Sequence, residues 1–307
     1  MSKKLVLMDH DGGIDDFLAM MLLMTMPQVE PIGIVVTPAD CYAKAAVSVT
    51  RKILDLMGKS NIPVAESTVR GLNPFPSAFR RDCVIINNFP ILNEREIIST
   101  PLVKASGQEF IVQALQTAAE PVTLMVTGPL TTVASAIALE QNIVNKIKEI
   151  VWMGGALTVT GNVEKEFALE QDGTAEWNVF WDPLAAKQIW DTSIPIILCP
   201  LDLTNTVPVT PEFIRQLTKQ RHYPLSDLAG MCYALAIPQA YYCWDILATA
   251  YLGCPEYYQL QERDTDILIE GISQGRTVIK PGGKKIKVMT QVDKEGFYAY
   301  CLSHFAR

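Results

Sequence analysis

The chain has 307 residues, 49% of them hydrophobic, enough to bury a large core without disulfide or metal staples. Its net charge of −7 and the lack of a basic run argue against a nucleic-acid backbone as partner and leave small polar molecules open. The seven cysteines are odd in number and show no CxxC pairing. They sit mostly in apolar segments, as Cys83, Cys232 and Cys301 do, and so read as reduced core thiols.

Lys3 and Lys4 run directly into a strand, with no visible signal sequence, and the apolar run 17–26 is too short to span a bilayer. A cytoplasmic location, with no membrane partner, is the expectation. No Gly/Ser linker, repeat or low-complexity stretch divides the chain, so a single domain over residues 1–307 is expected.

In chain order, residues 5–8 (LVLM) form a short continuous apolar run, the pattern of a buried strand. The acidic turn 9–13 follows, then an apolar-rich helix over 15–26 stopped by Pro27. Residues 31–37 (PIGIVVT) read as a second strand and about 40–57 as a second helix. Residues 122–126 read as a strand, followed by a turn at Thr127, Gly128 and Pro129 and a helix over 130–139. A strand at 150–153 leads into Gly154 and Gly155; a helix is expected over 183–190 and a strand over 194–198. The stretch 267–292 alternates and carries turn residues at 280–283 (KPGG), pointing to a short β excursion before a last helix. Strands alternating with helices imply parallel βαβ units. The fold class is therefore α/β: a Rossmann-like, mostly parallel central sheet, helices on both faces, and a small extra β/helical region. In such sheets ligands bind beyond the carboxyl ends of the strands. Asp9, Asp40, Thr127 and Gly154 each follow a predicted strand, which gathers them on one rim.

The segment 9–16 (DHDGGIDD) places four carboxylates, Asp9, Asp11, Asp15 and Asp16, in eight residues. Crowded carboxylates raise one another's pKa values unless a positive charge compensates. Clustered oxygen ligands select a hard cation, Ca²⁺ or Mg²⁺. The competing reading is a solvated loop in which Asp15 and Asp16 complement a helix dipole; it leaves Asp9 and Asp11 unexplained. DxDG also opens the haloacid-dehalogenase phosphatases, but the late segment 283–290 (GKKIKVMT) lacks the acidic pair that family needs. An EF-hand is excluded because no Glu follows at the required position.

The pattern DxDxGxDD after a strand resembles the opening of the nucleoside hydrolases, and Asp9, Asp11, Gly13, Asp15 and Asp16 fit it. Gly12 stands where much of that family has Pro, and the DHDG form resembles the purine-preferring branch. The resemblance continues through 37–40 (TPAD), 73–76 (NPFP), 89–93 (FPILN), 126–131 (VTGPLT), 153–155 (MGG), 161–162 (GN), 172–178 (DGTAEWN), 181–183 (WDP) and 241–245 (YYCWD).

This resemblance implies a Ca²⁺ ion held by Asp11, Asp16, the Thr127 carbonyl and Asp245. It implies a water activated by the metal with Asp11 as general base. Asp15 and Asn178 are the expected partners of the lower ribose hydroxyls, and Asn162 and Glu176 lie near the 5′-hydroxyl, with Met153 packed nearby. Trp244 is expected to stack on the base, with Phe79 aligned to the opposite face. Asp40 is a candidate contact to the base or an N-cap of the following helix. Asp9 is left as support for the others. Some relatives place a His before the late Asp; here that position is Trp244. Of the three histidines, His10 reads as structural, His222 as surface and His304 as part of a terminal helix face. The implied reaction is hydrolysis of purine ribonucleosides to base and ribose, in a salvage setting, by a homodimer or homotetramer. The alternatives are a broad or pyrimidine-preferring hydrolase, and a non-catalytic nucleoside- or Ca²⁺-binding relative. In relatives a mobile loop covers the site at about 221–239, a stretch that is short here.

Overall fold

The computed structural model describes residues 3–164, 168, 170–236 and 240–307. Nine strands are present among them: β1 (Lys4–His10), β2 (Val29–Val36), β3 (Val64–Glu66), β4 (Val122–Val126), β5 (Ile147–Met153), β6 (Ile196–Cys199), β7 (Tyr258–Ile267), β8 (Thr277–Ile279) and β9 (Lys284–Val292). They join one sheet in the order β3-β2-β1-β4-β5-β6-β9-β7-β8. The first seven positions in that order are parallel pairings; β7 runs antiparallel to both β9 and β8. The α/β reading therefore holds. The β excursion is larger than the sequence pattern suggested, because β7 starts at Tyr258 and β9 docks on β6.

Alternation along the central strands sorts side chains between two cores. Val6 and Met8 face one cluster with the helices Ile14–Thr25, Pro224–Ala236 and Lys294–Phe305. Leu7 faces the other, with Gly107–Thr117, Thr131–Leu139 and Pro183–Trp190. Both faces are covered, which is why the central strands read as continuous apolar runs rather than alternating ones. Every residue of Ile14–Thr25 is buried, Asp15 and Asp16 included, so this helix lies within the core rather than on its surface. No helix among the described residues is long and apolar enough to cross a membrane.

The chain leaves β1 toward β2 and β3 on one side, and β4 toward β5 and β6 on the other. The reversal opens a crevice at the carboxyl ends of β1 and β4, the place where open α/β sheets bind ligands. The Thr127 N–H donates to the Asp9 carbonyl at 3.0 Å, so the two strand ends stay joined as they enter it.

Two local expectations are corrected. The second helix begins at Ala43, not near 40, and Tyr42 occupies its cap position without a side-chain bond. Asp40 is therefore not its N-cap: its backbone N–H is turned to Asp11 instead, at 3.2 Å. Within 221–239, residues Pro224–Ala236 form a helix rather than a loop, because Leu228, Ala229, Cys232 and Tyr233 are fully buried. Residues 237–239 lie outside the described set.

The turn that carries the acidic cluster depends on Gly12, whose φ of +79° is the left-handed region. A Cβ there meets the Cβ atoms of Ala46 and Cys41 at 2.7 Å. Gly58 has a similar φ of +65° but open space around it. We expect Gly58→Ala to cost about 1–2 kcal/mol from conformation alone. Gly12→Ala should cost about 1–3 kcal/mol more through overpacking. Urea denaturation of both variants checks this; equal losses would show that the turn has room to relax.

Candidate active site

Carboxylates from distant parts of the chain meet in the crevice. Asp9, Asp11, Asp15, Asp16, Glu176 and Asp245 are all buried, and Asp40 is half-buried beside them. Asp16 lies at the third position of the helix Ile14–Thr25. Its Oδ2 accepts the Gly13 N–H at 2.8 Å, the acidic half of a capping box. Its Oδ1 accepts the Thr127 hydroxyl at 2.6 Å, tying β1's turn to β4's. Asp11 accepts from the Asp40 N–H. Asp15 reaches across the chain: its Oδ2 accepts the Asp245 N–H at 2.6 Å and its Oδ1 the Tyr241 phenol at 3.1 Å. Asp9 points under the crevice, where Oδ1 accepts the Thr37 hydroxyl at 2.6 Å and Oδ2 has no protein partner.

Asn178 and Glu176 come from the short helix Trp177–Trp181 and its cap. Asn178 Nδ2 donates to the carbonyls of Thr127 and Met153, at 2.9 and 3.0 Å. Its amide oxygen is thereby the atom left to accept from a hydroxyl. Glu176 accepts backbone N–H groups from Gly155, Asn178 and Val179. Asn162 Oδ1 accepts the Trp177 N–H at 3.1 Å, which holds the 161–162 turn over this helix. Thr127, Met153, Asn178 and Glu176 are thus brought together by one set of hydrogen bonds.

The aromatic residues divide into two groups. Trp244 is half-buried and packs on the main core. The Tyr241 ring meets it edge-on at 4.6 Å and Tyr242 lies tilted at 5.7 Å. Phe79 belongs to a separate cluster with Phe75, Trp177 and Phe180, and meets Trp177 edge-on at 6.4 Å. The histidines fall as expected. His10 is buried on Thr50, His222 is exposed and His304 bonds Thr25. Tyr241 is the site residue that sequence reasoning passed over; its three-residue spacing from Trp244 was the available signal.

Burial is the main cause that raises the carboxyl pKa values, and neighbouring carboxylates add to it. Asp9 is pushed up to about 8, and Asp15 and Glu176 to about 7; backbone N–H donors oppose the rise at Asp15 and Glu176. Asp11, Asp40 and Asp245 are also raised well above the usual range, first by burial and then by neighbours that include Asp16. Arg80 opposes this only at Asp40. No ion pair among the described residues reaches any of these groups.

Clustered carboxylates, oxygen donors and, among the described residues, no ion pair to answer them fit a hard divalent cation. The Thr127 carbonyl has one lone pair on Asn178 and one left. Among the described residues, no three His, Cys, Asp or Glu side chains already stand as a ligand set. Asp16 already accepts from Gly13 and Thr127, and its Oδ2 carries one bond, fewer than a carboxylate oxygen can accept. A cavity of about 510 Å³ opens at the amino ends of the strands, lined by Met24, Leu56, Ile62, Pro224 and Arg307. It lacks such a cluster, so chemistry rather than volume places the site.

Comparison with known proteins agrees with this geometry. A family model described as inosine-uridine preferring nucleoside hydrolase matches residues 6–299. The crystal structure described as the inosine-uridine preferring nucleoside hydrolase from Bacillus anthracis superposes with a TM-score of 0.94. It is 40% identical and 99% of each chain is covered. Pyrimidine-specific ribonucleoside hydrolase RihA from Klebsiella pneumoniae (strain 342) is 28% identical over 314 residues, 95% of each protein. RihA from Shewanella sp. (strain ANA-3) is 32% identical over 219 residues, which span 69% of this chain but 63% of that relative. The chain belongs to the inosine-uridine preferring nucleoside hydrolase family.

Proposed function

We propose that the protein hydrolyses the N-glycosidic bond of ribonucleosides, purine nucleosides first, to free base and ribose. The observation that carries this reading is the set of buried carboxylates gathered at the β1/β4 crevice beside the half-buried Trp244. Asp11, Asp16, the Thr127 carbonyl and Asp245 would hold Ca²⁺. When bound, such a cation lowers the pKa of water and keeps its carboxylate ligands ionised.

The protein's own groups do the rest. Asp11 takes the proton from the attacking water. Asp15 and the Asn178 amide oxygen accept from the lower ribose hydroxyls, while Asn162 and Glu176 lie at the 5′ end with Met153 packed against the sugar. Cleavage builds positive charge on the sugar, and the anionic floor stabilises that charge more in the transition state than in the ground state. Trp244 stacks on the leaving base, with Phe79 toward its other face and Asp40 near its edge. Stacking of this kind contributes about 1–3 kcal/mol. No histidine occupies the Trp244 position, so solvent supplies the proton to the base.

A second reading, pyrimidine or broad preference, is favoured by the names of the relatives RihA and the Bacillus anthracis protein. Ribose release from guanosine, adenosine, inosine, uridine and cytidine, without phosphate, decides between them. We expect the purines to lead. Uridine as best substrate would replace the first reading by the second, and no release from any nucleoside would remove both.

Asp11→Asn keeps the side-chain shape and removes the base. We expect kcat to fall by about 10²–10⁴-fold at saturating Ca²⁺, with the variant still folded. A kcat within about 10-fold of wild type would assign the proton to another group.

The raised carboxyl groups also set a pH dependence. Their folded pKa values exceed the unfolded ones, so the cation-free native state holds more protons than the unfolded chain. Stability therefore falls as pH rises from about 4 toward the values near 7 and 8 of Asp15, Glu176 and Asp9. We expect Tm in EDTA to drop between about pH 5 and pH 8, and added CaCl₂ to remove most of that drop. A Tm that rises over this range in EDTA, or ignores Ca²⁺, would contradict the assignment of charge in the crevice.

A further inference from the structure

We propose that Tyr241 is a positioning residue that couples the sugar end of the crevice to its base end. The inference rests on the nucleoside reading above and adds a residue that reading does not use. Asp15 sits on the helix Ile14–Thr25, yet both of its oxygens are held from the far end of the chain. Oδ1 accepts the Tyr241 phenol at 3.1 Å and Oδ2 accepts the Asp245 N–H at 2.6 Å. A carboxylate gripped at both oxygens by one segment takes its orientation from that segment.

The same Tyr241 ring meets Trp244 edge-on, with centroids 4.6 Å apart at 74°. Such a pair prefers one relative orientation. Tyr241 is itself backed by Tyr233 at 6.3 Å, and its carbonyl accepts the Val209 N–H at 2.8 Å. Its backbone is therefore fixed, and its side chain is the link that can respond. A sugar hydroxyl arriving at Asp15 shares Oδ1 with the phenol, and any shift of the phenol moves the edge on which the Trp244 ring rests. Sugar occupancy and the position of the stacking surface are then one event, not two independent ones. Tyr241 and Trp244 are both half-buried.

The test uses the full chain with Ca²⁺. Kinetics on inosine and uridine are measured for wild type, Tyr241→Phe, Trp244→Ala and the double variant. In parallel, D-ribose is titrated while tryptophan emission is followed, and Trp244→Phe identifies the part of the signal due to Trp244. Tyr241→Phe keeps the ring contact and removes only the hydroxyl. We expect it to lower kcat/KM by about 10-fold, mostly in kcat, the scale of a hydrogen bond to a charged group. In the Trp244→Ala background the same change should cost less than about 2-fold, since residues that act as a unit are not additive. D-ribose should alter Trp244 emission in wild type and not in Tyr241→Phe. Equal losses in both backgrounds, or an undiminished ribose signal in Tyr241→Phe, would overturn the coupling and leave the hydrolase reading standing. A Tyr241-dependent ribose signal without turnover of any nucleoside would do the reverse. A wild type with neither signal nor turnover would overturn both.

Discussion

Burying several carboxylates in one crevice is costly, because each ion loses hydration worth several kcal/mol and repels its neighbours. The rest of this structure is arranged around that constraint. No ion pair with a Lys or Arg side chain answers it among the described residues. Backbone N–H groups at the amino ends of helices do part of the work: Gly13 for Asp16, Asp245 for Asp15, and Asn178 and Val179 for Glu176. Such donors orient the carboxylates and oppose the rise in pKa at Asp15 and Glu176, but they do not neutralise the charge. The remaining deficit is the property a divalent cation or a cationic transition state would answer.

The sheet makes this concentration possible. Reversal of strand order between β1 and β4 brings Asp9 and Thr127 together, while β5 delivers Met153 and the helix Trp244–Ala250 delivers Asp245. Gly12 lets the chain turn tightly enough for Asp11 and Asp16 to face the same crevice. Beneath them, Thr37 bonds both Asp9 and Thr132, at 2.6 and 2.5 Å, and Thr132 bonds Ser67 at 2.8 Å. This buried hydroxyl ladder joins the ends of β1, β2 and β3 to the start of the helix Thr131–Leu139, so the floor of the site is braced across four elements. Preorganisation of this kind is what makes fixed charges effective in catalysis.

Much of the scaffold was legible in the sequence because it rests on local patterns. The apolar run before Asp9, the 122–126 strand and the helix Pro183–Trp190 coincide with observed elements to within two residues or better. What local pattern could not supply was pairing over distance. Nothing near Asp15 announces Tyr241 or Asp245, which lie more than two hundred residues away and fix its orientation. At Asp40 the structure removes only the second of two readings, the helix cap. An Asp three residues before a helix looks like a cap, but the preference of its backbone for Asp11 decided the geometry. The 224–236 stretch hid its helix because its burial comes from the neighbouring Pro211–Lys219, Ile14–Thr25 and Lys294–Phe305 helices, not from a strong periodicity of its own.

The two ends of the crevice are supported by different parts of the fold, and this bears on how such a site changes its substrate. Carboxylate positions are locked by strand ends and the hydroxyl ladder, so substitution there disturbs the whole floor. Trp244 leans on the main core through Tyr241 and Tyr242, whereas Phe79 belongs to a small satellite cluster with Phe75, Trp177 and Phe180. Residues of a satellite cluster can be exchanged with little effect on either main core, since few buried partners repack around them. Relatives with pyrimidine-specific and inosine-uridine preferring names share this fold. In this chain Trp244, edge-on to Tyr241, is thus the one of the two aromatics that the main core holds in place.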